Sequence, residues 1–151
     1  DVERSRGLGD VYKRQKNYLY DNFYLGYALY FDYDEKTSPK DELVKADAAF
    51  TNVIAASPTT QDAHLYKAKV NRVMDTPESK KVMVSSYEQY VKIVKEKGET
   101  EKAKNNLIEA YTYVGAYYAN NGEKAKAIEN LKELLVLEPG NKYATDTLKK
   151  L

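Results

Sequence analysis

The feature that most constrains the fold is a spacing of small and apolar residues that occurs twice along the chain. Each copy runs from a glycine through an alanine and a large apolar residue to a proline: Gly26, Ala46, Phe50 and Pro58, then Gly115, Ala127, Leu131 and Pro139. The step from the alanine to the proline is the same in both copies, which is hard to obtain by chance. A glycine inside a helix costs about 1 kcal/mol relative to alanine. We therefore expect Gly115 to lie where the missing side chain lets another helix approach.

Turn-forming residues divide most of the chain into helical segments. Glycine and proline are sparse and fall in short polar stretches, at 38–40, 57–60, 75–79, 96–100, 120–123 and 138–141. Between these stretches apolar residues recur at steps of three and four, as in Tyr111, Val114 and Tyr118. No segment alternates convincingly with a period of two. The pattern predicts an all-α fold with six or seven helices and no sheet.

The full pattern resembles the tetratricopeptide repeat, a pair of helices with an aromatic, a leucine-glycine pair, a tyrosine, an alanine, an aromatic and a proline in that order. The copy between residues 111 and 139 meets nearly every position, and a weaker middle copy places Ala68, Ser86, Tyr90 and Gly98 at the small, small, aromatic and proline positions. The resemblance implies a right-handed superhelical solenoid within residues 16–151. Its parts are about three repeats and a capping helix, at 18–60, 61–100, 101–141 and 142–151.

The same resemblance predicts how the two helices of each repeat touch. A small residue on the first helix is expected to face a small residue on the second, so that the helices cross closely. The expected pairs are Gly26 with Ala46, Ala68 with Ser86, and Gly115 with Ala127. Gly122, in the turn after the first helix of the last repeat, is expected to adopt a left-handed backbone conformation.

Composition limits the function to a few classes. The 24 basic and 23 acidic residues leave a formal charge of +1, so no global field attracts nucleic acid or an anionic membrane. No apolar run approaches the roughly 18 residues of a membrane span. There is no cysteine and a single histidine, His64, which excludes thiolate catalysis and a multi-histidine metal site within one chain. We expect no enzyme activity, no cofactor and no metal.

An acidic loop opens with Asp32 and Asp34, the spacing with which many calcium loops begin. An EF-hand would require glycine at the sixth position and glutamate at the twelfth, where this chain has Thr37 and Leu43. A solvated loop between helices is therefore the expectation for this segment.

Residues 1–15 match nothing that follows them, because they are polar, basic and punctuated by glycine. The segment is expected to be a mobile tail. It also resembles translated adapter sequence found on reading frames from metagenomic reads, in which case it lies outside the fold and the native N-terminus is missing. Localisation, cytoplasmic or periplasmic, stays open. The tyrosine-rich composition and long inter-helix loops resemble repeat proteins of gut Bacteroidota.

Tyrosine is the residue type that points to a function, since the chain has 15 tyrosines and no tryptophan. In the tetratricopeptide family the first helices line a groove that binds peptides. By repeat position this groove is predicted to carry Tyr20, Phe23, Tyr24, Tyr27, Tyr66, Lys69, Arg72, Glu109 and Tyr113. The lysine, asparagine and arginine clamp that grips chaperone C-termini is absent. The resemblance thus implies a scaffold that binds a protein or peptide partner.

A second hypothesis stays open, in which the repeats pack against another domain or another copy of the chain and bind no free peptide. On the first helix Asn22, Leu25, Gly26 and Leu29 are predicted to form the face that meets the second helix. The tyrosine-rich face lies nearly opposite and needs a neighbour, either a further repeat or a ligand.

Overall fold

The computed structural model describes residues 2–151 and contains seven α-helices and no strand within that range. The helices are α1 Val2–Asp32, α2 Asp41–Ala56, α3 Gln61–Met74, α4 Pro77–Glu96, α5 Lys104–Asn120, α6 Lys124–Leu137 and α7 Lys142–Leu148. The all-α prediction and the number of helices are confirmed. None of the helices in this described part is both long enough and apolar enough to cross a membrane.

The chain forms two compact units, one ending at Met74 and the other spanning Asp75–Leu151. The boundary lies inside the second predicted repeat, between its two helices, so the units do not coincide with whole repeats. The predicted repeat boundaries and the outer limits of the domain stay predictions.

The first unit consists of α1, α2 and α3 packed around a small apolar core. Leu43, Phe50 and Val53 from α2 meet Ala63 and Val70 from α3, and all five are buried. Aromatic and aliphatic side chains of α1 and of the residue that follows it pack against this core, and they are Leu19, Phe23, Leu29, Tyr30 and Tyr33. The apolar positions of α2 recur at steps of three and four, which places them on one face of the helix.

The second unit consists of α4 to α7. Its start is well defined, because Thr76 accepts a hydrogen bond from the Ser79 amide, Ser79 bonds back to the Thr76 amide, and Pro77 occupies the first turn. Gly98 and Gly122 follow α4 and α5 with φ of +68° and +76°, which confirms the left-handed turn predicted at Gly122. The core includes Tyr87, Tyr90, Leu107, Val114, Leu131 and Leu134, all of which are buried.

Both glycines of the repeated spacing lie in tight helix contacts, and the atoms nearest to them belong mainly to large apolar residues of the second helix. A Cβ at Gly26 would lie 2.8–3.1 Å from the ring of Phe50, and one at Gly115 would lie 3.1 Å from Leu131 Cδ2. Ala46 and Ala127, the predicted counterparts, are fully buried, and their direct pairing with the glycines stays a prediction. The residue four positions after each alanine, on the next turn of the same helix face, covers the glycine.

Two features of α1 differ from expectation. Residues 2–15 are helical and continue directly into the rest of α1, although every described side chain from residue 3 to residue 18 is exposed. Whether this segment is foreign to the native protein stays a prediction. Leu25, expected on the packing face, is 53% exposed, whereas Gly26 is buried and Leu29 packs on the core.

The first helix of the third predicted repeat also differs from expectation. It begins at Lys104, after a turn over 100–103, rather than near Glu101.

Candidate interaction surface

The predicted groove residues are divided between the two units. The residues from Tyr20 to Arg72 lie on α1 and α3 of the first unit, and Glu109 and Tyr113 lie on α5 of the second. On α1, Tyr20, Tyr24 and Tyr27 are exposed, with Tyr24 at 62%. The half-buried members are Phe23, Tyr66, Lys69, Arg72 and Glu109. The role of these residues in binding a partner stays a prediction.

Tyr66 lies at the centre of an aromatic cluster that joins α1 to α3. Its ring centroid lies 5.1 Å from Tyr27 and 5.9 Å from both Phe31 and Phe50. Phe23 is 6.1 Å from Tyr66 and 5.7 Å from Phe50, in edge-to-face contacts that aromatic pairs favour. The cluster is thus continuous from the buried Phe50 to the exposed rings of α1. Phe23 and Tyr66 thus pack between the buried ring of Phe50 and the exposed rings of α1.

Burial raises the pKa of Tyr66 to about 12, and the hydrogen bond with Tyr27 adds to this effect. A tyrosine in an unfolded chain has a pKa of about 10. Above that pH the unfolded chain releases a proton that the folded chain retains, so the free energy of unfolding should fall as pH rises from about 10 to about 12. Chemical denaturation at about pH 9 and about pH 11 should show a smaller fall for Tyr66→Phe than for the parent. An equal fall in both would contradict the assignment to Tyr66.

A pocket of about 470 Å³ opens between α1 and the start of α3. The rings of Tyr20 and Tyr24 are stacked at its edge, 6.2 Å apart and inclined by 14°, and Phe23 stands edge-on to Tyr24. Lys16 Nζ lies 5.8 Å from the centroid of Tyr20. The lining residues are Tyr12, Gln15, Lys16, Leu19, Tyr20, Phe23, Tyr24, Val53, Thr60 and Asp62.

In the second unit Tyr113 and Glu109 flank one buried residue, Tyr87. The ring of Tyr113 stacks on that of Tyr87 with 6.3 Å between centroids and 7° between planes. The Tyr87 hydroxyl donates a hydrogen bond of 2.6 Å to Glu109 Oε1. Glu109 therefore holds α4 against α5, whereas Tyr113 is exposed on one side.

Hydrogen bonds from buried tyrosines to surface glutamates recur in this unit and were not predicted from the sequence. Tyr118 donates to Glu88 at 2.6 Å, and Tyr111 donates to Glu133 at 3.2 Å. Burial raises the pKa of both hydroxyls, and the hydrogen bond with Glu88 raises that of Tyr118 further. Each pair joins different helices, so no spacing within one helix could have revealed it.

These pairs line a second cleft, of about 310 Å³, formed by α4, α5 and α6. Lys95 Nζ lies 2.8 Å from Glu133 Oε2, and this contact raises the pKa of Lys95 and lowers that of Glu133. Lys126 lies 4.8 Å from the ring centroid of Tyr118 and pairs with Glu123. Lys95, Glu133 and Lys126 thus have partners within the unit, which fits a role in joining helices.

The first unit has a comparable polar cluster between α2 and α3, also missed by sequence reasoning. Lys67 Nζ lies 2.6 Å from Asp47 Oδ1 and 2.8 Å from Thr51 Oγ1. Asn71, which is buried, donates to the same Asp47 oxygen. The cluster satisfies polar groups that the helix contact removes from water.

The single histidine and the acidic loop each make local structural contacts. His64 is buried, with its Nε2 2.8 Å from the carbonyl oxygen of Pro58. Asp34 forms a local turn, accepting a hydrogen bond from the Lys36 amide, while its own amide donates to Ser38. Across the described part of the chain no three histidine or acidic side chains are grouped as metal ligands.

Two helix pairs, α1 with α2 and α5 with α6, each have a glycine in the first helix and a large apolar residue of the second helix against it. This repeated arrangement defines the class of the protein as a helical repeat module. No family model matches the chain, and no curated protein matches it. Nine solved chains match, among them the crystal structure of the C-terminal part of a TPR repeat-containing protein from Cytophaga hutchinsonii.

That structure matches with a TM-score of 0.67 and 32% sequence identity over 84% of this chain. The predicted resemblance to tetratricopeptide repeats, and to a protein of the Bacteroidota, is confirmed. The match covers 45% of the Cytophaga chain, so the present chain spans about half the length of its relative.

Proposed function

We propose that the chain binds a linear segment of a partner protein on the aromatic surface formed by α1 and α3 of the first unit. This α1–α3 surface comprises Tyr20, Phe23, Tyr24, Tyr27, Tyr66, Lys69 and Arg72. The observation that carries the proposal is the exposure of Tyr20, Tyr24 and Tyr27 on one side of α1, directly above a packed aromatic base. Tyr113 and Glu109 supply a second contact surface within the other unit.

Tyrosines suit such a role because each offers a large contact area with few rotatable bonds and keeps a hydroxyl for hydrogen bonds. The rings of the α1–α3 surface are held in place by contacts with each other, so little side-chain freedom is lost when a ligand binds. A peptide or protein is the expected partner rather than nucleic acid, since the formal charge is only +1. The proposed role is non-catalytic.

The test is selection from a library of random linear peptides on the immobilised chain, followed by affinity measurements on the selected peptides. Replacing Tyr24 and Tyr27 together by alanine should weaken binding by at least about tenfold, because exposed aromatic anchors carry much of the energy of such contacts. The matched control is Tyr143→Ala, which removes an exposed tyrosine of α7 in the other unit. Circular dichroism should show all variants folded.

Peptides that bind the parent and the Tyr143→Ala variant but not the double variant would support the proposal. Equal binding by all three chains, or selection of no peptide at all, would overturn it.

A second function, self-association, is favoured by a different face of the first unit. Tyr18 and Leu25 are both about half exposed and lie on the other side of α1 from Tyr20 and Tyr24. They flank Asn22, which accepts a hydrogen bond of 3.0 Å from Asn52 of α2. Light scattering over a range of concentrations separates the two functions, because self-association predicts a mass that rises with concentration and falls back in a Leu25→Asp variant.

A further inference from the structure

The pocket between α1 and α3 combines three chemical features that one kind of side chain would satisfy together. Its base is apolar, since Val53 is buried and Leu19 and Phe23 are half-buried. Its edge is aromatic, formed by the exposed and stacked rings of Tyr20 and Tyr24. Asp62, in the first turn of α3, adds an exposed carboxylate.

We propose that this pocket receives an arginine side chain of the bound segment. This inference rests on the proposed function and names the chemistry of its ligand. The three methylene groups of arginine would lie along Leu19 and Val53 while the charged head stays near solvent. The planar guanidinium would stack on the ring of Tyr20 or Tyr24 and pair with the carboxylate of Asp62. The apolar base, the aromatic edge and the carboxylate would thus each contact a different part of one arginine side chain.

Two alternative occupants fit less well. A purely apolar side chain would cover Asp62 and remove water from its carboxylate without replacing the lost interactions, which is unfavourable. A lysine would supply the charge, but its ammonium lacks the flat face that stacks on an aromatic ring and the paired donors that match a carboxylate. Arginine is the side chain that uses the base, the rings and the carboxylate at once.

Lys16 provides a further test of the proposal, because its Nζ already lies 5.8 Å from the centroid of the Tyr20 ring. This distance is within the roughly 6 Å at which a cation is attracted to the face of an aromatic ring. It also means that an incoming arginine would meet a like charge and compete for the same ring. Removing the charge of Lys16 should therefore strengthen binding, whereas removing that of Asp62 should weaken it.

The experiment uses peptides selected from the random library, each compared with a copy in which arginine is replaced by citrulline. Citrulline keeps the length and the flat shape of arginine but carries no charge. We expect the parent chain to bind the citrulline copies about tenfold more weakly, the combined size of an exposed ion pair and a cation–π contact. In the Asp62→Asn variant this ratio should fall to about threefold. In Lys16→Gln the arginine peptides should bind about threefold more tightly than to the parent.

The matched control is Asp41→Asn, which also removes an exposed carboxylate from the first turn of a helix in the first unit. It should leave the ratio between arginine and citrulline peptides unchanged. The advantage of arginine should also shrink at high salt, since the ion pair with Asp62 is exposed to solvent.

One outcome would overturn the arginine assignment and leave the proposed function standing. In that outcome the double variant at Tyr24 and Tyr27 weakens peptide binding, but the arginine peptides and their citrulline copies bind the parent with equal affinity. A preference for arginine that Asp62→Asn does not change would also overturn it, because the charge would then be recognised elsewhere. If no peptide is selected, the proposed function fails and the inference fails with it.

Discussion

Replacing Phe50 by alanine should lower the free energy of unfolding of the first unit by about 4 kcal/mol. Phe50 is fully buried and its ring lies 5.7 Å from Phe23 and 5.9 Å from Tyr66. Removing the ring would leave a cavity between α1, α2 and α3, and the loss of packing adds to the loss of buried apolar area. Because small domains have only about 5–15 kcal/mol of stability, this is a large fraction of the total.

Guanidinium denaturation followed by circular dichroism measures the effect, with Val44→Ala as the control. Val44 lies on the same helix but is exposed, so its replacement should change the free energy of unfolding by less than about 0.5 kcal/mol. A loss of less than about 1 kcal/mol for Phe50→Ala would contradict the central place of this ring in the core. The Phe50→Ala variant should also bind the selected peptides more weakly than the parent, since the ring of Phe50 packs against that of Tyr66.

The part of the fold that the sequence could predict is the part controlled by local spacing. Turn residues and apolar steps of three and four predicted six or seven helices, because both signals act within one helix or one turn. The glycines of the repeated spacing were identified as close-contact positions for the same reason. Phe50 and Leu131, whose atoms lie nearest the two glycines, were not identified, since spacing along two helices does not fix which turns meet across them.

The polar pairs could not be predicted at all. With 15 tyrosines and 23 acidic residues in the sequence, nothing local selects the pairing of Tyr118 with Glu88 or of Tyr87 with Glu109. These partners are 30 and 22 residues apart and meet only after the helices have packed.

The aromatic face of α1 could be predicted in part. Its tyrosines were recognised by type and spacing, whereas the support of that face by Tyr66 depends on the packing of α3.

The N-terminal segment is helical in its described part, although its composition predicted a mobile tail, and the domain boundary at residue 16 stays a prediction. Residues 1–15 lack an apolar stripe, which predicted an irregular tail. A helix that is already anchored by packing extends at little cost, because the unfavourable step is nucleation rather than propagation. The described residues before Gln15 therefore continue α1 without making a core of their own.

Replacing Gly26 by valine should lower the free energy of unfolding of the first unit by about 3 kcal/mol. Even a Cβ at this position would lie 2.8 Å from the end of the Phe50 ring, a distance that forces one of the two groups to move. Phe50 cannot move freely, because Phe23 and Tyr66 hold its ring on other sides. Valine adds two stiff methyl groups to the same space. The steric cost should exceed the few tenths of a kcal/mol gained from helix propensity.

Two further variants separate this contact from a general effect of valine in α1. Gly7→Val makes the same replacement in the same helix at a site with nothing within 4 Å of a Cβ, and should change stability by less than about 0.5 kcal/mol. In a Phe50→Leu background the cost of Gly26→Val should fall by at least about 1 kcal/mol, because the smaller side chain gives way. If the effects of Gly26→Val and Phe50→Leu on the free energy of unfolding simply add, the cost of the valine does not come from its contact with Phe50. The glycine would then be required by the backbone of α1 and not by the approach of α2.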